Sequence, residues 1–85
     1  MNLDRGVSYD GHARLRMRLR GITEAQVELV LAEYHTSYPA EPLPGRRVRA
    51  LVYVGLVDGR DLKVYVEEGS YPPYVATVVW KGDEE

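Results

Sequence analysis

Apolar residues recur three and four positions apart up to about residue 34, and from residue 48 onward they alternate or run together. The change of period predicts two helices followed by strands. Ser8 or Asp10 can cap the first helix, which runs to Arg20 and ends on Gly21 in the left-handed region. Thr23-Glu24-Ala25-Gln26 is a Thr-x-x-Gln capping box, so the second helix starts at about Glu24. Val27, Val30, Leu31 and Tyr34 form its buried face, with Glu24, Glu28 and Glu33 off that face. The link Gly21-Ile22-Thr23 leaves room only for a helical hairpin or a sharp corner.

Pro39, Pro42, Pro44 and Gly45 forbid a regular element through the middle of residues 35–47, although Tyr34 to Tyr38 can add a short edge strand. Val48 to Val57 reads as a strand, and Asp58-Gly59 is a hairpin turn. Asp61 to Glu67 alternates, with Leu62, Val64 and Val66 on one face and Asp61, Lys63, Tyr65 and Glu67 on the other. In the last strand, Tyr74 to Lys81, alternation sets Val75, Thr77 and Val79 against Ala76, Val78 and Trp80. Neither set is polar, so that strand is expected to be central or covered on both sides. The expected fold is one α+β domain, an N-terminal helical hairpin packed on an antiparallel sheet of three to four strands. Residues 1–9 form an extension with an extended piece around Gly6 to Tyr9, 10–34 the helical hairpin, 35–47 the Pro-rich connection, 48–81 the meander and 82–85 an acidic tail.

Composition narrows the setting. A chain of 85 residues is one small domain, whose core alone gives modest stability. With no cysteine, disulfides and thiolate metal sites are excluded. No 18-residue apolar run is present, and the first residues lack the apolar stretch of a secretory signal. A cytoplasmic, prokaryotic-type domain without a membrane partner is expected. The formal net charge is -2, yet Arg14, Arg16, Arg18 and Arg20 crowd the first helix, and Arg46, Arg47 and Arg49 form a second cluster.

At 100° per residue, His12, Arg16 and Arg20 fall within about 80° of one another, and Arg14 and Arg18 fall on a different side. Ala13 and Met17 separate the stripes on one flank, Leu15 and Leu19 on the other. Two apolar flanks predict that the helix is covered from both sides, with His12, Arg16 and Arg20 at the edge of a groove and Arg14 and Arg18 in solvent. A neutral imidazole at position 12 would act as a general base. The structural alternatives are a histidine bonded to backbone or packed on an aromatic, and arginines paired with Glu24, Glu28 or a sheet carboxylate. His12 and His35 are the only histidines and have no metal-ligand spacing, so neither a metal nor a cofactor is expected. No glycine-rich phosphate loop and no nucleophile signature is present. Of seven tyrosines, Tyr53 and Tyr65 are expected to meet across the hairpin, as a sheet surface, a subunit interface or a base-stacking platform.

His12-Ala13, Arg16-Met17 and Arg20-Gly21-Ile22-Thr23 resemble the signature His-Ala-x-x-Arg-Met-x-x-Arg-Gly-Ile-Ser/Thr of a prokaryotic family of unknown function. Its later blocks resemble Asp58 to Val64 and Ala76-Thr77-Val78, so the resemblance spans roughly residues 8 to 80. The order of elements is similar to that of RelE/ParE-type toxins, which include metal-independent ribonucleases. The resemblance implies His12 as the base on a ribose 2′-hydroxyl, Arg16 and Arg20 as transition-state cations, and Tyr65 or Thr77 as sheet groups on the phosphate or leaving group. The implied partners are RNA and an antitoxin-like protein. The chain is expected to be such a nuclease or a degenerate relative of one; the rival expectation is a non-catalytic protein-binding or dimerisation module that uses a tyrosine-rich sheet, and a third is binding of a small anionic ligand by Arg16 and Arg20. The slightly acidic net charge weighs against nonspecific RNA affinity.

Overall fold

In the computed structural model, which describes residues 1–41 and 49–83, the elements run β1 (Ser8–Tyr9), α1 (Gly11–Arg20), α2 (Glu24–Glu33), β2 (Thr36–Pro39), β3 (Ala50–Val57), β4 (Arg60–Glu67) and β5 (Tyr74–Trp80). The fold is α+β, but the sheet has five strands rather than three or four, in the order β1-β5-β4-β3-β2. It is also mixed, because β1 pairs parallel to β5 while the other pairs are antiparallel. The extended piece at the N-terminus and the short segment after α2 supply the two additional edge strands. Pro42, Pro44, Gly45, Arg46, Arg47 and the beginning of the expected strand at Val48 lie outside the described residues, as do Glu84 and Glu85 of the expected tail.

The helices form where their signals stand. The Asp10 side chain accepts the His12 N–H at 2.9 Å, and Gly21 closes α1 at φ 66°. Thr23 and Gln26 complete the capping box of α2, with Gln26 N–H to Thr23 Oγ1 at 3.2 Å and Thr23 N–H to Gln26 Oε1 at 2.9 Å. The helices do not make a hairpin. The link turns a corner, α1 lies on β5, and α2 lies on β3 and β4. Each helix therefore buries its apolar stripe on the sheet rather than on its neighbour.

Both helices cover the same sheet face. Ala13, Met17, Ile22, Val27, Val30 and Leu31 pack there against Val57, Leu62, Val64, Val66, Val75, Val78 and Trp80. Each fully buried valine or leucine stabilises the fold by roughly 1.5–3 kcal/mol relative to exposure. Tyr34 is at the rim, 38% exposed, and its ring meets Tyr53 edge-on with centroids 4.8 Å apart. At Gly55 the helix comes so close that an added Cβ would lie 3.2 Å from Val30 Cα.

Two expectations about the strands are corrected by register. Asp58 (φ 50°) and Gly59 (φ 81°) form a two-residue turn that pairs Val57 with Arg60, so Val64 stands opposite Tyr53 and Val52 opposite Tyr65. Tyr53 and Tyr65 consequently lie on opposite faces of the sheet and do not meet. In β5, the register shifts between Tyr65↔Thr77 and Val66↔Val75, leaving Ala76 as an extra residue. Val75 thereby joins Val78 and Trp80 on the helix-covered face, whereas Thr77 and Val79 stay on the other side.

That other face carries two rows across the strands, Tyr38-Val52-Tyr65-Thr77 and Thr36-Val54-Lys63-Val79. Neither helix lies on it, yet Val52, Val54 and Val79 are buried.

Candidate functional site on the first helix

α1 is anchored at both ends. Asp10 caps its start and also accepts the Tyr74 hydroxyl at 2.6 Å, so one carboxylate ties the helix to the first residue of β5. At its far end, Trp80 Nε1 donates to the Arg20 carbonyl at 3.1 Å. Between these ties, Ala13 and Met17 face the sheet and are buried.

The helix is covered on that side only. Leu15 and Leu19 are 48% and 66% exposed, which overturns the expectation of a cover on both flanks. The second apolar pair points outward because the sheet has just one helix-bearing face and α2 has moved away over β3 and β4. The leucines form an exposed ridge one turn apart, with a basic flank on either side.

On the flank toward α2, the Arg14 guanidinium pairs with Glu24 at 3.4 Å and lies over the Tyr9 ring, 4.8 Å from its centroid. The Tyr9 hydroxyl beneath is buried with no hydrogen-bond partner among the described residues. Burial, then the charges of Glu24 and Glu28, push its pKa up to about 12 against the opposing effect of Arg14. Arg18, exposed on the same flank, has no polar partner among the described residues.

On the opposite flank, Arg16 Nε donates to His12 Nε2 at 3.4 Å, a bond that needs an unprotonated Nε2. Arg20 Nη1 donates to the Val78 carbonyl at 2.6 Å. Neither arginine meets a carboxylate among the described residues, so the pairing with Glu24 or Glu28 does not form. His12 and Arg16 therefore stand together, with Arg20 one turn further along and turned onto the edge of β5.

Tyr65 and Thr77 are not brought to this flank. They pair with each other on the sheet face away from the helices. His12 and Arg16 stand on the helix on the other side of the sheet, and no contact joins them to Tyr65 or Thr77 among the described residues. The second histidine is elsewhere again, with His35 Nε2 3.1 Å from Asp61 Oδ1 and Lys81 Nζ 3.9 Å from the other carboxylate oxygen. Among the described residues no three His, Cys, Asp or Glu side chains gather as a metal site, and no helix is long and apolar enough to cross a membrane.

Compared with known protein families, curated proteins and solved structures, this chain matches none. The functional reading therefore rests on α1 itself. The stripe spacing of His12, Arg16 and Arg20 was readable from the sequence. The exposure of Leu15 and Leu19, the Asp10–Tyr74 tie and the buried Tyr9 hydroxyl were not. Only the positions of β1 and β5 beneath the helix reveal them.

Proposed function

We propose that this chain is a non-catalytic protein-binding module that docks through the outward ridge of α1, on a partner segment bearing carboxylates beside an apolar strip. The supporting observation is the pair Leu15 and Leu19, 48% and 66% exposed, standing next to an Arg18 with no polar partner among the described residues. Covering exposed leucines with another apolar strip is favourable, and carboxylates flanking that strip would satisfy Arg18. A phosphate backbone offers nothing for the leucines at the centre of the ridge. The docking surface proposed is the helix rather than the tyrosine-bearing sheet. A reducing cytoplasmic setting accords with a chain that contains no cysteine.

The RNA-cleaving reading, with its RelE-like toxin role, requires His12, Arg16, Arg20 and a sheet group at one point. Tyr65 and Thr77 pair with each other on the face away from the helices, which favours the docking reading over that one.

The test is fluorescence anisotropy with a synthetic amphipathic helical peptide that alternates leucine and glutamate at helical spacing. The wild-type protein is expected to bind it saturably. Leu19→Ser and Arg18→Glu are each expected to weaken binding tenfold or more, about 1.4 kcal/mol. Equal binding by both variants, or RNA cleavage that disappears in His12→Ala, would overturn the reading.

A further inference from the structure

The flank of α1 on the other side of the leucine ridge has a property that protein docking does not use. Arg16 and Arg20 are both half-buried, and neither has a carboxylate partner among the described residues. Their hydrogen bonds go to neutral acceptors, His12 Nε2 for Arg16 and the Val78 carbonyl for Arg20. Each guanidinium has five N–H donors, so most remain available. A partly desolvated cation without a counter-ion costs free energy, and an anion placed between two such cations relieves that cost.

The surrounding backbone leaves room for one. β1 pairs with Tyr74 and Val75, and among the described residues no strand covers the outer edge of β5 from Ala76 onward. The His12, Arg16 and Arg20 stripe stands beside that uncovered edge, as the bond from Arg20 to Val78 shows. Residues four apart on a helix are separated by about 6 Å along its axis. From backbone positions that close, the two guanidinium forks can turn to one point, where the tetrahedral oxygens of a phosphate would accept N–H bonds from both. Arg16 would exchange its long bond to His12 for a charge-assisted bond to the anion, freeing His12 Nε2, which can donate to a further phosphate oxygen once it carries a proton.

We infer that His12, Arg16 and Arg20 form a binding site for a phosphate group at the open edge of β5. That group belongs to free phosphate, to a nucleotide or to a nucleic-acid backbone. The site shares no side chain with the ridge of Leu15, Leu19 and Arg18, so the two assignments fail independently.

Titration of the full chain with inorganic phosphate, a nucleoside 5′-monophosphate and a short single-stranded RNA, followed by amide shifts in NMR spectra, tests it. Saturable shifts in α1 and at Val78 are expected with at least one of the three probes. Arg16→Gln is expected to weaken that binding tenfold or more, and Arg18→Gln to leave it within twofold. Because Arg20 also braces β5, Arg20→Lys serves there in place of the amide and should weaken binding several-fold with the fold intact. Saturation by phosphate and nucleotide assigns a small anion, whereas saturation by RNA alone assigns the backbone phosphate. No saturation by any probe, or equal losses in Arg16→Gln and Arg18→Gln, refutes the site.

Discussion

Tyr9 is held in the fold with its hydroxyl buried and unbonded, beneath the Arg14–Glu24 pair. An unmet buried polar group costs on the order of 1–3 kcal/mol, so Tyr9→Phe is expected to raise stability at neutral pH by about 1 kcal/mol. The same residue controls the alkaline limb. Its pKa rises from 10.0 to about 12 on folding, chiefly through burial, so the fold favours the protonated phenol. The resulting stability is fully present below pH 10 and is lost as pH climbs through about 12, where the unfolded chain has already released its proton. Tyr53, raised by burial, and Tyr74, raised by its bond to Asp10, act in the same direction and leave a residual slope. Urea denaturation of wild type and Tyr9→Phe near neutrality and at about pH 11 checks both statements. An unchanged neutral stability, or an unchanged alkaline decline, contradicts them.

Among the elements, α2 shows how closely a helix and a sheet can be fitted when one strand residue has no side chain. An alanine Cβ at Gly55 would meet the Val30 backbone and both its methyl groups at 3.2 Å. The backbone atom cannot rotate away, so α2 must lift. Gly55→Ala is expected to destabilise by about 1–3 kcal/mol, the usual range for overpacking, despite the backbone entropy it saves. The shift would register in the denaturation midpoint and in the Tyr34–Tyr53 contact at the same helix end. The local chemistry of the elements was legible in advance. Asp10, Gly21, Thr23, Gln26 and Asp58-Gly59 act through neighbours one to four residues away, so their meaning does not depend on the rest of the chain. Val27, Val30 and Leu31 were legible for the same reason. The faces of β5 were not, because the extra residue Ala76 answers to β4, a partner distant in sequence. Nor was the parallel addition of β1, which depends on where α1 returns the chain. For the candidate site, spacing disclosed which side chains share a stripe of α1, but not that Tyr65 and Thr77 are on the opposite side of the sheet.

At the scale of the whole molecule, the two margins of the sheet are unlike. One carries β1 on Tyr74 and Val75 and has no strand beyond it among the described residues, but there the Arg20 guanidinium occupies the Val78 carbonyl that an incoming strand would need. The other is β2, which is exposed along all four residues and pairs with β3 alone. Its protection is slight, since Pro39 removes one donor from a strand without charge. A filament of stacked sheets needs two receptive margins on every subunit, a donor side and an acceptor side. With a single receptive margin, association by strand pairing is limited to a face-to-face couple related by a two-fold axis, and growth then has nowhere to continue. Light scattering at rising concentration should accordingly plateau at or below the mass of two chains. Arg20→Ala, which unseals the second margin, should remove the plateau. The arginine on the edge of β5 is thus expected to act as a terminator of polymerisation, keeping a small domain with an exposed edge strand from becoming a fibre.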